Sequence, residues 1–172
     1  MLTSLVVTVI GPDRPGLVRL LSDCGTVHGA SWEESRMASL AGQFAGMVRF
    51  SVDSARAAAL AAALTALESE GLRVVIAQGR GAPPATSVRT LKLALVGHDR
   101  PGIVRDISRV LAERGISIEE LTTAVESGAM SGGSLFRIEA TLAVPGALPT
   151  DELRAVLEGL ANELMVDITL GE

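Results

Sequence analysis

The nine residues GPDRPGLVR (11–19) recur as GHDRPGIVR (97–105), and the predicted fold follows from this repeat. The offset between the two copies is 86 residues, and over positions 11–34 it brings 12 identical residues out of 24 into register. Chance agreement in a chain rich in Gly and Ala would give about two identities. The sequence therefore predicts two copies of one structural unit, each built around the same loop.

The repeat also sets the domain organisation of the 172-residue chain, which is long enough for two small domains. The first copy takes residues 1–80 and the second takes residues 88–172. Between them, residues 81–87 contain two Pro and show no apolar periodicity, which is typical of a linker.

Each copy predicts the same order of secondary-structure elements. A short apolar run precedes the loop and indicates a buried strand, and helical spacing of apolar residues follows the loop until a Gly. The predicted strands cover 5–10, 31–40, 44–52 and 73–78 in the first copy and 91–96, 117–126, 135–144 and 164–170 in the second. A second helix is predicted to begin after Ser54 and after Thr150, both suitable N-caps. The order βαββαβ, twice, predicts an α+β fold of two ferredoxin-like units with helices on one face of a four-stranded antiparallel sheet.

The repeated loop leads into a helix, and its residues suit a helix start. Pro15 and Pro101 fit the first helical turn, where a missing N–H is not needed. Asp13 and Asp99 lie just before it, where a carboxylate can cap free amides. Those amides, flanked by glycines, also suit a small anionic guest such as a carboxylate.

Composition excludes several classes of function. The formal net charge is −5 and aromatic residues make up 2% of the chain. The chain therefore has no excess of cationic side chains to bind phosphates and few aromatic rings on which bases could stack. We therefore expect no direct nucleic-acid binding. One Cys and two His exclude an internal disulfide and leave little for a metal site.

The sequence also argues against catalysis and against a membrane. It holds no nucleophile–base constellation, no G-x-S-x-G elbow and no phosphate-binding G-x-x-x-x-G-K loop, so we expect neither an enzyme nor a cofactor. No apolar run approaches the roughly 20 residues that span a bilayer. The start of the chain has no basic region typical of a signal peptide, so a cytoplasmic protein is the expectation.

The residues described so far carry a family resemblance. A βαββαβ unit with D-R-P-G-[LI]-V between its first strand and first helix resembles the ACT domain, and so does the run VLAERGISIEEL at 110–121. Two such units in tandem resemble the glycine cleavage system transcriptional repressor group of tandem ACT proteins. ACT domains typically sense amino acids, so the resemblance implies an amino-acid ligand.

The resemblance implies a ligand site where two units meet, between the repeated loop of one unit and its neighbour. The candidate ligand-binding residues are Gly11, Asp13, Arg14, Gly16 and Ser31 in the first copy and Gly97, His98, Asp99, Arg100, Gly102 and Ser117 in the second. The chain departs from many amino-acid-binding members of the family. They have a His where the first glycine of each loop stands and an Asn where Ser31 and Ser117 stand.

Several candidate residues also have a structural interpretation. A turn into a helix does not require Arg14 or Arg100, so each could bind a ligand carboxylate bidentately. The alternative is an ion pair, with Glu33 or Glu119 as partner, or a solvated side chain. His98 could contact a ligand. The aspartates of the loops, if they do not cap, would bind a ligand's ammonium group.

The expected function is that of a small regulatory protein which binds an amino acid and acts through a protein partner, a transcription regulator of glycine or one-carbon metabolism. Val6 and Ile10 are apolar on the face of the first strand opposite the core, which predicts unit-to-unit packing and a homodimer. Two alternatives stay open: an interaction module that binds no metabolite, and a small enzyme of unrecognised type.

Overall fold

The computed structural model describes residues 1–79, 87–127 and 133–171. The chain divides into two compact units, Met1–Ala82 and Pro83–Glu172. Most of the predicted linker, and residues 128–132, lie outside the described residues.

The first unit has the element order that the sequence predicts. Its strands are β1 (Leu2–Pro12), β2 (Ser31–Leu40), β3 (Gln43–Asp53) and β4 (Arg73–Gln78), and its helices are α1 (Leu17–Val27) and α2 (Ser54–Ala66), followed by a short 3₁₀ helix over Leu67–Glu70. The sheet is antiparallel with strand order β2-β3-β1-β4.

The second unit repeats this order. Its strands are β5 (Val88–His98), β6 (Ser117–Ser127), β7 (Ser134–Pro145) and β8 (Val166–Gly171), and its helices are α3 (Ile103–Ala112) and α4 (Thr150–Leu164). The strand order β6-β7-β5-β8 matches that of the first sheet. The predicted α+β class, two βαββαβ units with four-stranded antiparallel sheets, is therefore confirmed.

Each unit has its own hydrophobic core between the sheet and its two helices. On β1, alternate residues face inward, so Leu5, Val7 and Val9 are buried while Thr8 and Ile10 face outward. The helices add apolar stripes at helical spacing, such as Leu60 and Leu64 of α2, to the same cluster. Because both helices cover the same face, the opposite face of each sheet is left open to other contacts.

The helix starts differ from the expectations in three respects. Both repeated-loop helices begin two residues after the proline, so Pro15 and Pro101 precede the helix rather than occupy its first turn. Asp53, not Ser54, is the N-cap of α2, and its Oδ1 accepts a hydrogen bond from the amide of Ala55 at 2.9 Å.

The third difference concerns the second unit's last helix and strand. Thr150 is the first residue of α4 rather than its cap, and its hydroxyl accepts a hydrogen bond from Arg89. Leu164 closes this helix instead of opening the last strand, because its side chain completes the buried stripe of α4. Among the described residues, no helix is long and apolar enough to cross a membrane.

Candidate functional site

The repeated loops form tight turns at the helix starts. Gly16 has φ 94° and ψ −1°, and Gly102 has φ 98° and ψ −7°. These values fit the third position of a type II turn, which requires a positive φ, and the second position of that turn favours Pro. The Pro-Gly pair in each loop is thus explained by turn chemistry, and the helix proper begins at the next residue.

The predicted capping by the loop aspartates is wrong. No side chain in the described part of the chain caps α1 or α3. Asp13 and Asp99 instead use their backbone amides, which donate to the carbonyl oxygens of Gly42 and Ser134 at 2.9 Å each. The side chains stay exposed, and no side-chain oxygen among the described residues caps the first-turn amides of either helix. Both loops therefore offer uncapped amides for a small anion.

Arg14 is engaged within its own unit. Its Nη2 donates to the backbone oxygen of Glu70 at 3.0 Å and lies 3.4 Å from the Glu70 carboxylate. The predicted partner, Glu33, pairs with Arg49 instead, at 3.4 Å. The sequence could not reveal Glu70, because it lies 56 residues along the chain at the end of the 3₁₀ helix.

Arg100 has a different environment. It borders a shallow cavity of about 350 Å³ at the start of α3, which Gly102, Val104, Arg105 and Phe136 also line. Arg105 pairs with the neighbouring Asp106 at 2.9 Å. Within the described residues, Arg100 has neither an ion pair nor a hydrogen bond, and Glu119 does not reach it. The second unit therefore places the uncapped start of α3 and an unpaired arginine beside a shallow hollow whose exposed lining is mainly apolar.

The first glycine of each loop is explained by packing inside the unit. A Cβ on Gly11 would lie 2.5 Å from the backbone oxygen of Gly71 and 3.1 Å from Leu72. A Cβ on Gly97 would collide with the side chain of Val166. We expected these glycines to let a ligand approach the backbone, but the chain's own β4 and β8 fill that space.

The register places Ser31 and Ser117 far from the loops of their own units. On β3, Ser31 pairs with Ser51 while Gly11 pairs with Phe44. On β7, Ser117 pairs with Ala143, seven positions from the Gly97 partner Phe136. Seven residues of strand span about 23 Å. Within one unit, then, neither serine contributes to a site at the loop.

The histidines and the cysteine add little to a site. His98 ends β5 and is exposed beside the loop. The His28 ring nitrogen Nδ1 lies 2.9 Å from the backbone oxygen of Cys24. Burial raises the pKa of the Cys24 thiol, so it stays protonated at neutral pH. In the ranges that the structure describes, no group of His, Cys, Asp or Glu could hold a metal ion.

Comparison with known families decides what the two units are. Two family models, both described as ACT domain, match residues 3–76 and 93–161. The chain belongs to the ACT-domain family. ACT domains are regulatory modules for small ligands, and this chain carries two of them in tandem.

Two solved structures match this chain over nearly its whole length. A protein of unknown function from Galdieria sulphuraria is 33% identical, and the match covers 100% of this chain and 99% of that one with a TM-score of 0.85. A candidate glycine cleavage system transcriptional repressor is 20% identical over 99% of this chain and 97% of its own, with a TM-score of 0.73. At that identity the second likeness shows the fold alone. No curated protein matched the chain.

Proposed function

We propose that this tandem ACT protein is a regulatory protein that binds an amino acid and passes the signal to a protein partner without catalysing a reaction. The observation that supports the ligand is the start of α3, where uncapped amides, Arg100 and a hollow of about 350 Å³ lie together. In this proposal the ligand carboxylate binds the amides and the guanidinium, since a helix start and an arginine both favour an anion.

The second unit is the better candidate for the binding site. In the first unit the Glu70 carboxylate already lies beside Arg14, so a ligand carboxylate would have to displace it. In the second unit the ligand's ammonium group would face the exposed Asp99 carboxylate, which no capping role occupies. Gly102 gives the turn that aims the amides, and His98 lies at the loop's edge. Gly97, like Gly11, supports the loop by packing rather than by contact with the ligand.

Thermal denaturation of the full chain with individual amino acids tests this proposal. A ligand at 100 times its Kd adds about 2.7 kcal/mol to stability, which a melting curve resolves readily. Titration calorimetry with each amino acid that stabilises the chain then gives the affinity. If glycine, serine and the other amino acids all leave the melting temperature unchanged at millimolar concentration, the ligand proposal fails.

Matched arginine variants locate the site. Arg100→Gln should weaken binding of the stabilising amino acid by about tenfold or more, since it removes a charged hydrogen-bond partner of the carboxylate. Arg14→Gln serves as the control, because its guanidinium is held by Glu70, and binding should change little. Equal losses in both variants would contradict the assignment to the second unit.

We propose that the protein partner is a transcription regulator of glycine or one-carbon metabolism. We also propose that the protein acts in the cytoplasm as a homodimer. The name of the structurally similar candidate repressor supports this choice. Affinity capture from cell lysate with and without the stabilising amino acid tests it. Capture that does not depend on the amino acid would contradict a ligand-controlled contact.

One set of contacts favours an alternative, an interaction module that binds no metabolite. Gly11 and Gly97 are explained by internal packing, and Arg14 by an internal ion pair. On this alternative the amino-acid screen gives no stabilisation while the protein partner is still captured. The two experiments together therefore separate the functions.

A further inference from the structure

The outer face of the first sheet, the face opposite its helices, carries exposed apolar side chains. We name it face 1, and the apolar residues towards its middle are Val6, Ile10, Ala38, Ala45, Met47, Val75 and Ala77. Ile10 is 46% exposed, Met47 51% and Val75 67%. Thr8 pairs with both Met47 and Val75, so these two side chains lie on the strands to either side of β1, across the middle of the face. An apolar patch of this kind indicates a contact surface.

The same positions of the second sheet carry different side chains. We name its outer face face 2. The repeat offset aligns β1 with β5, and the strand pairing on these two strands then places Glu139 where Met47 stands and Asp167 where Arg73 stands. The centre of face 1 is apolar, whereas the centre of face 2 is polar. The two copies therefore share a backbone framework and present different surfaces.

The charges of the two faces are of opposite sign. Face 1 carries Arg36, Arg49 and Arg73 against Glu33 and Glu34; both glutamates pair with Arg49, and Glu34 also pairs with Arg36. Face 2 carries more acids than bases: Glu120, Glu126, Glu139 and Asp167 against Lys92 and Arg137. Among the described residues, Arg73, Glu139 and Asp167 have no ion-pair partner. Face 1 thus offers an unpaired cation and face 2 two unpaired anions.

We infer that face 1 of one copy of this chain docks on face 2 of a second copy. Two copies of face 1 would bring one unpaired arginine against another, and two copies of face 2 would bring unpaired carboxylates together, and like charges in contact oppose association. Unlike faces cover the apolar centre of face 1 and bring Arg73 towards the unpaired acids. In a closed dimer with two-fold symmetry this contact occurs twice, since each copy has both faces. The inference rests on the proposed homodimer and assigns its surfaces.

Charge reversal followed by mixing tests the inference. The variants are Arg73→Glu and Asp167→Lys in the full chain, both at exposed positions, with folding checked by circular dichroism. In sedimentation velocity at micromolar concentration, the wild type should be a dimer and each variant alone should dissociate about tenfold or more readily, since like charges now meet. Mixing the two variants should restore the dimer, because one interface then has both charges exchanged and the other is wild type.

Substitution at the apolar centre gives a second readout. Met47→Glu places a charge in the covered patch and should also weaken the dimer by about tenfold or more. Val27→Glu is the matched control, since Val27 is 80% exposed on α1, on the helix side of the sheet, and should leave the dimer unchanged.

Each outcome bears on a different claim. A wild-type chain that is monomeric at these concentrations overturns both the homodimer and its surfaces. A dimer that persists in both reversed variants, or a mixture of the two that stays monomeric, overturns the pairing of face 1 with face 2 and leaves the homodimer standing. None of these results depends on whether an amino acid binds at α3.

Discussion

Gly11 lies where β1 passes beside the start of β4, and a Cβ there would stand 2.5 Å from the backbone oxygen of Gly71. A backbone oxygen cannot swing aside as a flexible side chain can, so the strands would have to separate. We expect Gly11→Ala to lower the free energy of unfolding by about 1–3 kcal/mol, the usual cost of overfilling a packed site. Urea unfolding of the full chain measures the change.

Gly159 provides the control for this substitution. It lies inside α4, and a Cβ there would meet nothing within 4 Å. Gly159→Ala should therefore stabilise the protein by up to about 1 kcal/mol, because Ala costs less backbone entropy in a helix. If Gly11→Ala were as stable as the wild type, the space at Gly11 would be open after all, and a ligand contact there would regain support.

These glycines also show which residue roles the sequence could predict. The repeat singled out Gly11 and Gly97, whereas Pro15, predicted in the first turn of the helix, lies in the tight turn before it together with Gly16. What approaches a glycine depends on tertiary contacts, and Gly71 is 60 residues away from Gly11 in the chain. A similar separation along the chain, 56 residues, explains why the sequence did not reveal the ion pair of Arg14 with Glu70.

At the scale of the secondary-structure elements, helix starts provide the clearest test. The Asp53 side chain caps α2 through the amide of Ala55, whereas Asp13 caps nothing. Asp53→Ala should therefore cost about 1 kcal/mol of stability. Asp13→Ala should stay within about 0.5 kcal/mol of the wild type, as expected for an exposed residue without such a role.

Thermal or urea unfolding of the two variants separates these roles. A loss of about 1 kcal/mol in Asp13→Ala would mean that its carboxylate caps α1 after all, in conflict with the uncapped amides on which the proposed site depends. An unchanged Asp53→Ala would mean that the hydrogen bond to Ala55 adds no net stability. Asp13 and Asp53 are both exposed, so burial does not bias the comparison.

The order and type of the elements could be predicted because apolar periodicity changes at each boundary, as in the alternation over β1 and the helical stripe of α2. The positions of Ser31 and Ser117 relative to the loops could not. Strand direction places the start of β2 at the end of the sheet remote from the loop, and this follows only once the pairing with β3 is known. Residues that match a family motif one by one therefore need not lie close together in the folded chain.

At the scale of the whole molecule, the two units share one topology and have diverged where they meet their surroundings. Arg14 is tied to Glu70 in one loop, whereas Arg100 borders a hollow in the other. Met47 on face 1 corresponds to Glu139 on face 2. The cores of the two units are built alike, whereas their loops and outer faces differ. This is what separate roles for the two units require. We therefore expect ligand binding and assembly to respond to different substitutions.

The charge of the whole molecule leads to a prediction about nucleic acid. The formal net charge is −5, and Arg49 on face 1 is neutralised by two glutamates. Since affinity for DNA comes largely from the release of counterions by cationic side chains, we expect no binding of a labelled duplex at micromolar protein in 50 mM salt, measured by fluorescence anisotropy. Arg73, which has no ion-pair partner among the described residues, is the cation of face 1 that could oppose this expectation. Binding that weakens steeply with added salt, and that is lost in Arg73→Glu, would show that face 1 contacts phosphates, and regulation would then not require a protein partner.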